Sequence, residues 1–203
     1  MSVRRLCAEQ PASFAFTPEN LAWAQQEIKK YPEGRQASAV IALLWRGQEQ
    51  NDGWVTEPMI RLVGDMLSMP YIRVLEIATF YTMFNLAPRG KYLLQLCKTT
   101  PCWLRGSDAV SDVVKRKVGA EPGKVSKDGL FSWMEVECLG ACCNAPVIQV
   151  NDDFYEDLDA AKTEALLDAL ARGEKPKPGS QAGRRSSEPV SGRATLTSVG
   201  GDS

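Results

Sequence analysis

The sequence predicts an α+β protein in which a small helical bundle, residues 17–86, precedes an α/β sandwich, residues 90–172. Three observations predict it. Between Thr17 and Leu86 apolar residues recur four times at helical spacing. After Pro88-Arg89-Gly90 the apolar runs become short and strand-like, and two cysteine pairs each follow one of those runs. With 203 residues and 44% hydrophobic content, the chain has enough apolar material for both parts.

The first helix begins at Thr17-Pro18-Glu19, which reads as a capping hydroxyl, a proline at the first helical position and an acid in the first turn. Leu21, Ala24 and Ile28 form its stripe, and Tyr31-Pro32 stops it. Ala37, Val40, Ile41, Leu44 and Trp45 give a second stripe, ended by the turn Asn51-Asp52-Gly53. Thr56 caps a third helix carrying Met59, Val63, Met66 and Leu67. Ser68, with Pro70 behind it, is read as opening a fourth whose stripe is Val74, Leu75, Ala78 and Tyr81.

In the second part, Tyr92-Leu93-Leu94-Gln95-Leu96 predicts a buried strand running into Cys97. Residues 107–118 have helical character, with Val110, Val113 and Val114 apolar and three basic residues near the end. Phe131 and Trp133 alternate with Met134 and Val136 in a strand that leads to Cys138. Residues 146–150 and 154–158 read as a hairpin, with Asp152-Asp153 marking its turn, and 158–171 as a closing helix with Leu166, Leu167 and Leu170 inward. This order of elements describes an α/β sandwich of the thioredoxin kind. From Glu174 the chain is expected to be disordered, because 14 of its last 30 residues are Gly, Ser or Pro.

Composition excludes several functions. A net charge of −1 gives no footprint for nucleic acid, and the basic pairs Arg4-Arg5 and Arg184-Arg185 are read as solvated. The longest run of large apolar residues, 39–45, is far short of the roughly 20 that a membrane span needs. No apolar core follows the N-terminal arginines, so no secretory signal is expected and the cysteines are read as facing a reducing compartment. Histidine is absent, which removes His-ligated zinc, Cys–His nucleophiles and Ser–His–Asp triads. Neither a Gly-x-Gly-x-x-Gly fingerprint nor a P-loop occurs.

Metal chemistry must therefore run on thiolates. Four residues separate Cys97 from Cys102, three separate Cys138 from Cys142, and 35 lie between the pairs. Loops at the same ends of neighbouring strands converge, which would gather four thiolates at one site. Four thiolates suit a [2Fe–2S] cluster, two per iron, and spacing alone leaves a structural zinc open as well. Leu139-Gly140-Ala141 is small enough for backbone N–H groups to approach the site. Cys102 is read as lying just ahead of a helix N-terminus, Cys143 as a buried inert thiol, and Cys7 as incidental in a frayed terminus. Phe80, Phe84 and Trp103 are expected in the core.

Three motifs then carry a specific resemblance. They are Ala78-Thr79-Phe80-Tyr81-Thr82-Met83-Phe84, then Cys97-Lys98-Thr99-Thr100-Pro101-Cys102 with Leu104-Arg105-Gly106-Ser107, and Glu137-Cys138-Leu139-Gly140-Ala141-Cys142-Cys143-Asn144-Ala145-Pro146. Over residues 17–172 the chain resembles the thioredoxin-like [2Fe–2S] subunit of respiratory complex I, NADH:quinone oxidoreductase. The resemblance implies a helical N-terminal region followed by a thioredoxin-like ferredoxin domain. It also implies one [2Fe–2S] cluster on Cys97, Cys102, Cys138 and Cys142, with Cys143 a non-ligand and Pro146 at a position often cis in such folds. Some relatives carry a histidine before the first ligand, where this chain has Gln95 and Leu96.

The implied role is electron transfer beside a flavoprotein subunit that binds FMN and oxidises NADH, so that neither FMN nor NADH sits on this chain. A multi-cluster iron–sulfur subunit is the other implied partner. The implied location is the peripheral arm on the cytoplasmic side of a bacterial inner membrane, or the mitochondrial matrix equivalent. Close relatives of that family serve NAD-linked formate dehydrogenases and bidirectional hydrogenases, which forms the alternative reading. A zinc-stabilised adaptor without redox chemistry is the alternative from another class.

Overall fold

The computed structural model describes residues 4–185 together with Ser187, Ser191 and Thr195. The chain divides into two compact units, one ending at Arg89 and the other starting at Gly90.

The first unit holds four helices, α1 (Pro18–Lys29), α2 (Val40–Gln50), α3 (Glu57–Leu67) and α4 (Tyr71–Phe80), with a short 3-10 turn at Gln36–Ala39 leading into α2. The expected caps are in place. The hydroxyls of Thr17 and Thr56 accept hydrogen bonds from the Asn20 and Met59 backbone N–H groups, each cap stabilising its helix by about 1 kcal/mol. Ser68 does not open α4; it closes α3 in the left-handed conformation (φ 53°), and Pro70 precedes the first turn of α4 without a side-chain cap. Leu43, Leu44, Met59, Ile60, Val63, Val74, Ala78 and Phe84 make the core. Gly47 belongs to it too, because a Cβ there would stand 2.6 Å from the Met59 sulfur. Gln48 is buried and satisfied, donating to the Met83 carbonyl and accepting from the Asn85 N–H, and so ties α2 to the segment after α4.

The segment ahead of α1 is part of this unit. Arg4, read from the sequence as solvated, donates to the carbonyls of Thr79, Tyr81 and Phe84, the orphan acceptors at and beyond the end of α4. The Cys7 N–H donates to the Leu86 carbonyl, so this stretch is held rather than frayed. Of the aromatics expected in the core, Phe84 is buried, whereas Phe80 is 76% exposed.

The second unit is a five-stranded mixed sheet, order β2-β1-β3-β4-β5, made of β1 (Tyr92–Cys97), β2 (Phe131–Val136), β3 (Ile148–Val150), β4 (Asp153–Glu156) and β5 (Gly179–Ser180). Three helices accompany it, α5 (Thr100–Leu104), α6 (Ser107–Val118) and α7 (Ala160–Ala171). Strands β1 and β2 run parallel through the α5–α6 crossover, and β3 is antiparallel to β1. Leu94, Leu96, Phe131, Trp133, Ile148 and Tyr155 pack with Val110, Val113 and Val114 of α6 and Leu166, Leu167 and Leu170 of α7. This is the thioredoxin-like α/β arrangement that the order of elements predicts.

Strand β5 corrects the expectation of disorder from Glu174. It adds to the sheet parallel to β4, pairing Gly179 with Tyr155 and Ser180 with Glu156, and the Tyr155 hydroxyl donates to the Pro176 carbonyl. Backbone pairing needs no apolar side chains, which is why a Gly/Ser/Pro-rich stretch finds a place on a sheet edge. The remainder of the expected disordered tail lies outside the described residues.

Candidate metal centre

Topology decides where the cysteines go. Cys97, the last residue of β1, pairs with Val136, the last of β2, so the parallel strands release their loops at one edge of the sheet. The antiparallel β3 begins at that same edge, and the Cys97 N–H donates to the Val147 carbonyl. Alternation along β1 sends Leu94 and Leu96 into the helix-covered core and leaves Cys97 in a separate small apolar cluster with Cys102, Ala145 and Val147.

The structure brings together all four cysteines singled out in the sequence. Cys97 and Cys102 are buried and within hydrogen-bonding reach of each other. Cys138 and Cys142 are exposed, their sulfurs 3.3 Å apart. The pairs also sense one another, since charge on Cys97 bears on both Cys138 and Cys142. Among the described residues no three His, Cys, Asp or Glu side chains are drawn together as a single ion would require. The thiols approach as two pairs, the arrangement that suits two metal atoms.

Backbone N–H groups point at the sulfurs, as the small residues of the second loop predicted. Gly140 donates to Cys138 at 3.4 Å, Leu139 to Cys97 and Val147 to Cys102, while the Thr99 hydroxyl lies 3.3 Å from the Cys97 sulfur. Gly140 makes its approach with φ +84°, a conformation that glycine adopts without penalty.

These donors split each pair electrostatically. Burial pushes the Cys97 thiol up, but hydrogen bonds from the Thr99 hydroxyl and from the Leu139 and Thr99 N–H groups outweigh it and leave the thiol below the ordinary cysteine value. Its partner Cys102, buried and facing Cys97, is pushed up to about 12. Cys138 is lowered, chiefly by the Gly140 N–H, while Cys142 is raised by its hydrogen bond to Cys138 and by that neighbour's charge. One thiolate of each pair thus forms readily, and the other waits for a cation to displace its proton.

Three expectations need correction. Cys102 lies within the five-residue α5 rather than ahead of a helix. Cys143 is exposed, not buried, and its carbonyl accepts a hydrogen bond from Arg184. Trp103 is 57% exposed beside Leu104, instead of lying in the core. The Ala145-Pro146 peptide bond is cis, as the resemblance implied. The sequence reading missed Asp157 and Arg184, which brace the second cysteine loop; the pointer available was an acid just after a hairpin that ends up buried and so requires a cation.

A match to the family described as thioredoxin-like [2Fe-2S] ferredoxin spans residues 24–171. The chain belongs to that family. This ferredoxin is 51% identical over 201 residues to a Rhizobium meliloti (strain 1021) protein named as an E-type subunit of NADH-quinone oxidoreductase, covering 97% of this chain and 73% of that one. It is 54% identical over 158 residues to the Rickettsia bellii (strain RML369-C) protein of the same designation, covering 78% and 95%. Among solved structures it resembles an NAD+-reducing [NiFe]-hydrogenase in the air-oxidized state, with a TM-score of 0.57 at 21% identity over 66% of this chain. The H2-reduced state gives 0.58 at 20% identity over 68%. The ferredoxin spans only 23% of either hydrogenase chain, and the likeness is one of fold. Its cofactor is accordingly a [2Fe–2S] cluster, and the donor set fits: four thiols in two pairs, with N–H groups directed at their sulfurs.

Proposed function

We propose that this chain is the [2Fe–2S] electron-transfer subunit of an NADH-quinone oxidoreductase, holding one cluster on Cys97, Cys102, Cys138 and Cys142. The observation that carries the reading is the meeting of two distant cysteine pairs at one sheet edge, in a chain more than half identical to proteins named as parts of that enzyme. When bound, the cluster supplies one-electron chemistry, its formal charge passing from −2 to −3 on reduction. The protein's task is positioning and electrostatics. The Leu139, Gly140 and Val147 N–H groups hold the sulfurs and place partial positive charge where negative charge accumulates.

The electron partner in this reading is the FMN of a flavoprotein subunit that oxidises NADH, with a multi-cluster iron–sulfur subunit nearby. The exposed Trp103 and Leu104, next to Cys102, supply apolar surface of the kind that contacts between subunits bury. Among the described residues no helix is long and apolar enough to cross a membrane, which is compatible with a place in the peripheral arm on the cytoplasmic side. Membership of an NAD-linked hydrogenase or formate dehydrogenase has only the fold likeness in its favour.

Anaerobic purification from the native organism tests the proposal. The expected preparation is red-brown, carries about two irons per chain, shows a rhombic paramagnetic signal only after dithionite reduction, and brings down a flavoprotein with membrane-spanning subunits. Colourless protein holding zinc would contradict the cluster, and co-purification with a nickel–iron or molybdenum subunit would contradict the complex.

A further inference from the structure

The second cysteine loop is fastened from outside the family's matched region. That region ends at residue 171, yet the chain continues through β5 and returns to the site. Beyond β5 the Ser180 hydroxyl donates to Asp157 at 2.6 Å and accepts from the Arg184 N–H at 3.1 Å. Arg184 then grips Asp157 with two nitrogens, at 3.1 and 2.6 Å, and with one of them also donates to the Cys143 carbonyl at 3.0 Å. Asp157 completes the arrangement from the other side, its N–H donating to the Asn144 carbonyl at 2.7 Å, while the Asn144 side chain donates to Glu156. Two consecutive carbonyls next to Cys142 are thereby fixed by a single ion pair.

That pair is well shielded, with 20% of the Arg184 and 8% of the Asp157 side chain exposed. A paired carboxylate and guanidinium contribute almost no net charge to the loop. An Asp157 carboxylate left alone would place a full negative charge beside a centre that must accept an electron.

We propose that residues 179–184 form a clasp on the second cysteine loop, in which Arg184 is a positioning residue: it holds the Cys143 carbonyl, and it neutralises Asp157 so that the carboxylate does not oppose reduction of the cluster. This rests on the reading of Cys138 and Cys142 as cluster ligands. The clasp retains the cluster by keeping the exposed pair in its ligating conformation, and it sets the potential by cancelling one charge.

The test uses the full chain loaded with its cluster and two readouts, the midpoint potential and the rate of iron loss to a chelator. Arg184→Gln should lower the potential and speed iron loss about tenfold, the scale of one charge-assisted hydrogen bond. Arg184→Lys should restore the potential, because it keeps the charge. The double variant Arg184→Gln with Asp157→Asn should return the potential towards the parental value while iron loss stays fast. A merely structural contact would not be reversed in this way. Unchanged potential and iron retention in Arg184→Gln would overturn the clasp, as would a double variant with a potential no higher than the single one. If Arg184→Gln holds too little cluster to titrate, the comparison of Arg184→Lys with the double variant decides: both near the parental potential supports the clasp, and a lowered potential in either overturns it. A Cys138→Ala variant that keeps the full signal would instead overturn the ligand assignment, so the two failures are distinguishable.

Discussion

The sulfurs of Cys138 and Cys142 lie 3.3 Å apart, and only the first of them receives the Gly140 N–H, at 3.4 Å. The asymmetry has chemical consequences. A proton shared between two close sulfurs settles on the one with fewer donors, so Cys138 is lowered and Cys142 raised.

In the cluster-free protein this ordering predicts the sequence of alkylation. The thiolate is the nucleophile, and both groups are exposed. With limiting iodoacetamide at mildly alkaline pH, mass spectrometry should find Cys138 modified before Cys142, and Cys102 last because it is buried and pushed up to about 12. Equal labelling of Cys138 and Cys142 would contradict the donor assignment.

Acid should release the C-terminal clasp before the unit unfolds. Burial pushes the Asp157 carboxyl up, but the hydrogen bonds from Arg184 and Ser180 and the charges of Arg184 and Lys162 more than cancel it, leaving the group below its ordinary value. For a carboxyl with a depressed folded-state value, the stabilisation is fully present above the unfolded value of about 3.9 and disappears as pH falls through the folded one. Hydrogen exchange of residues 179–184, corrected for intrinsic rates, should therefore show constant protection from neutral pH down to about 4 and loss below it. Asp157→Asn should be unprotected throughout. Protection that tracks global unfolding alone would count against this.

Gly90 is predicted to tolerate no side chain. A Cβ there would meet the backbone of Phe131, 2.3 Å from its carbonyl carbon and 2.7 Å from its Cα. The obstacle is space and not dihedral freedom, and the blocking atoms open β2. Gly90→Ala should cost about 1–3 kcal/mol, the range of overpacking, read as a lowered midpoint of thermal unfolding. An unchanged midpoint would show that the approach of the two strands is looser than described.

Much of this was legible in the sequence because the physics is local. Thr17 and Thr56 announce their helices by a hydroxyl ahead of a proline-bearing first turn, and each makes the expected bond. The strand ahead of each cysteine pair reads from its apolar residues, and parallel pairing then forces both loops to one edge. What stayed hidden depends on tertiary partners. Ser68 looks like an N-cap by type, but an adjoining helix end claims it. Strand β5 is Gly-Ser, with no side-chain pattern to betray it, and pairs through backbone alone. Arg184 in a Gly/Ser-rich stretch looks like a solvated charge until the burial of Asp157, fixed by the hairpin before it, supplies its partner. Trp103 and Phe80 look like core residues by type, and their exposure follows from which face of a helix the packing leaves open.

The most direct test of the central claim is to replace the cysteines one at a time by alanine, reconstitute each variant anaerobically, and measure iron, sulfide and the spectrum of the reduced state. Cys97→Ala, Cys102→Ala, Cys138→Ala and Cys142→Ala should each lose the [2Fe–2S] signal, whereas Cys143→Ala should load with about two irons and match the parent. A parental spectrum from any of the first four, or its loss from Cys143→Ala, would contradict the account.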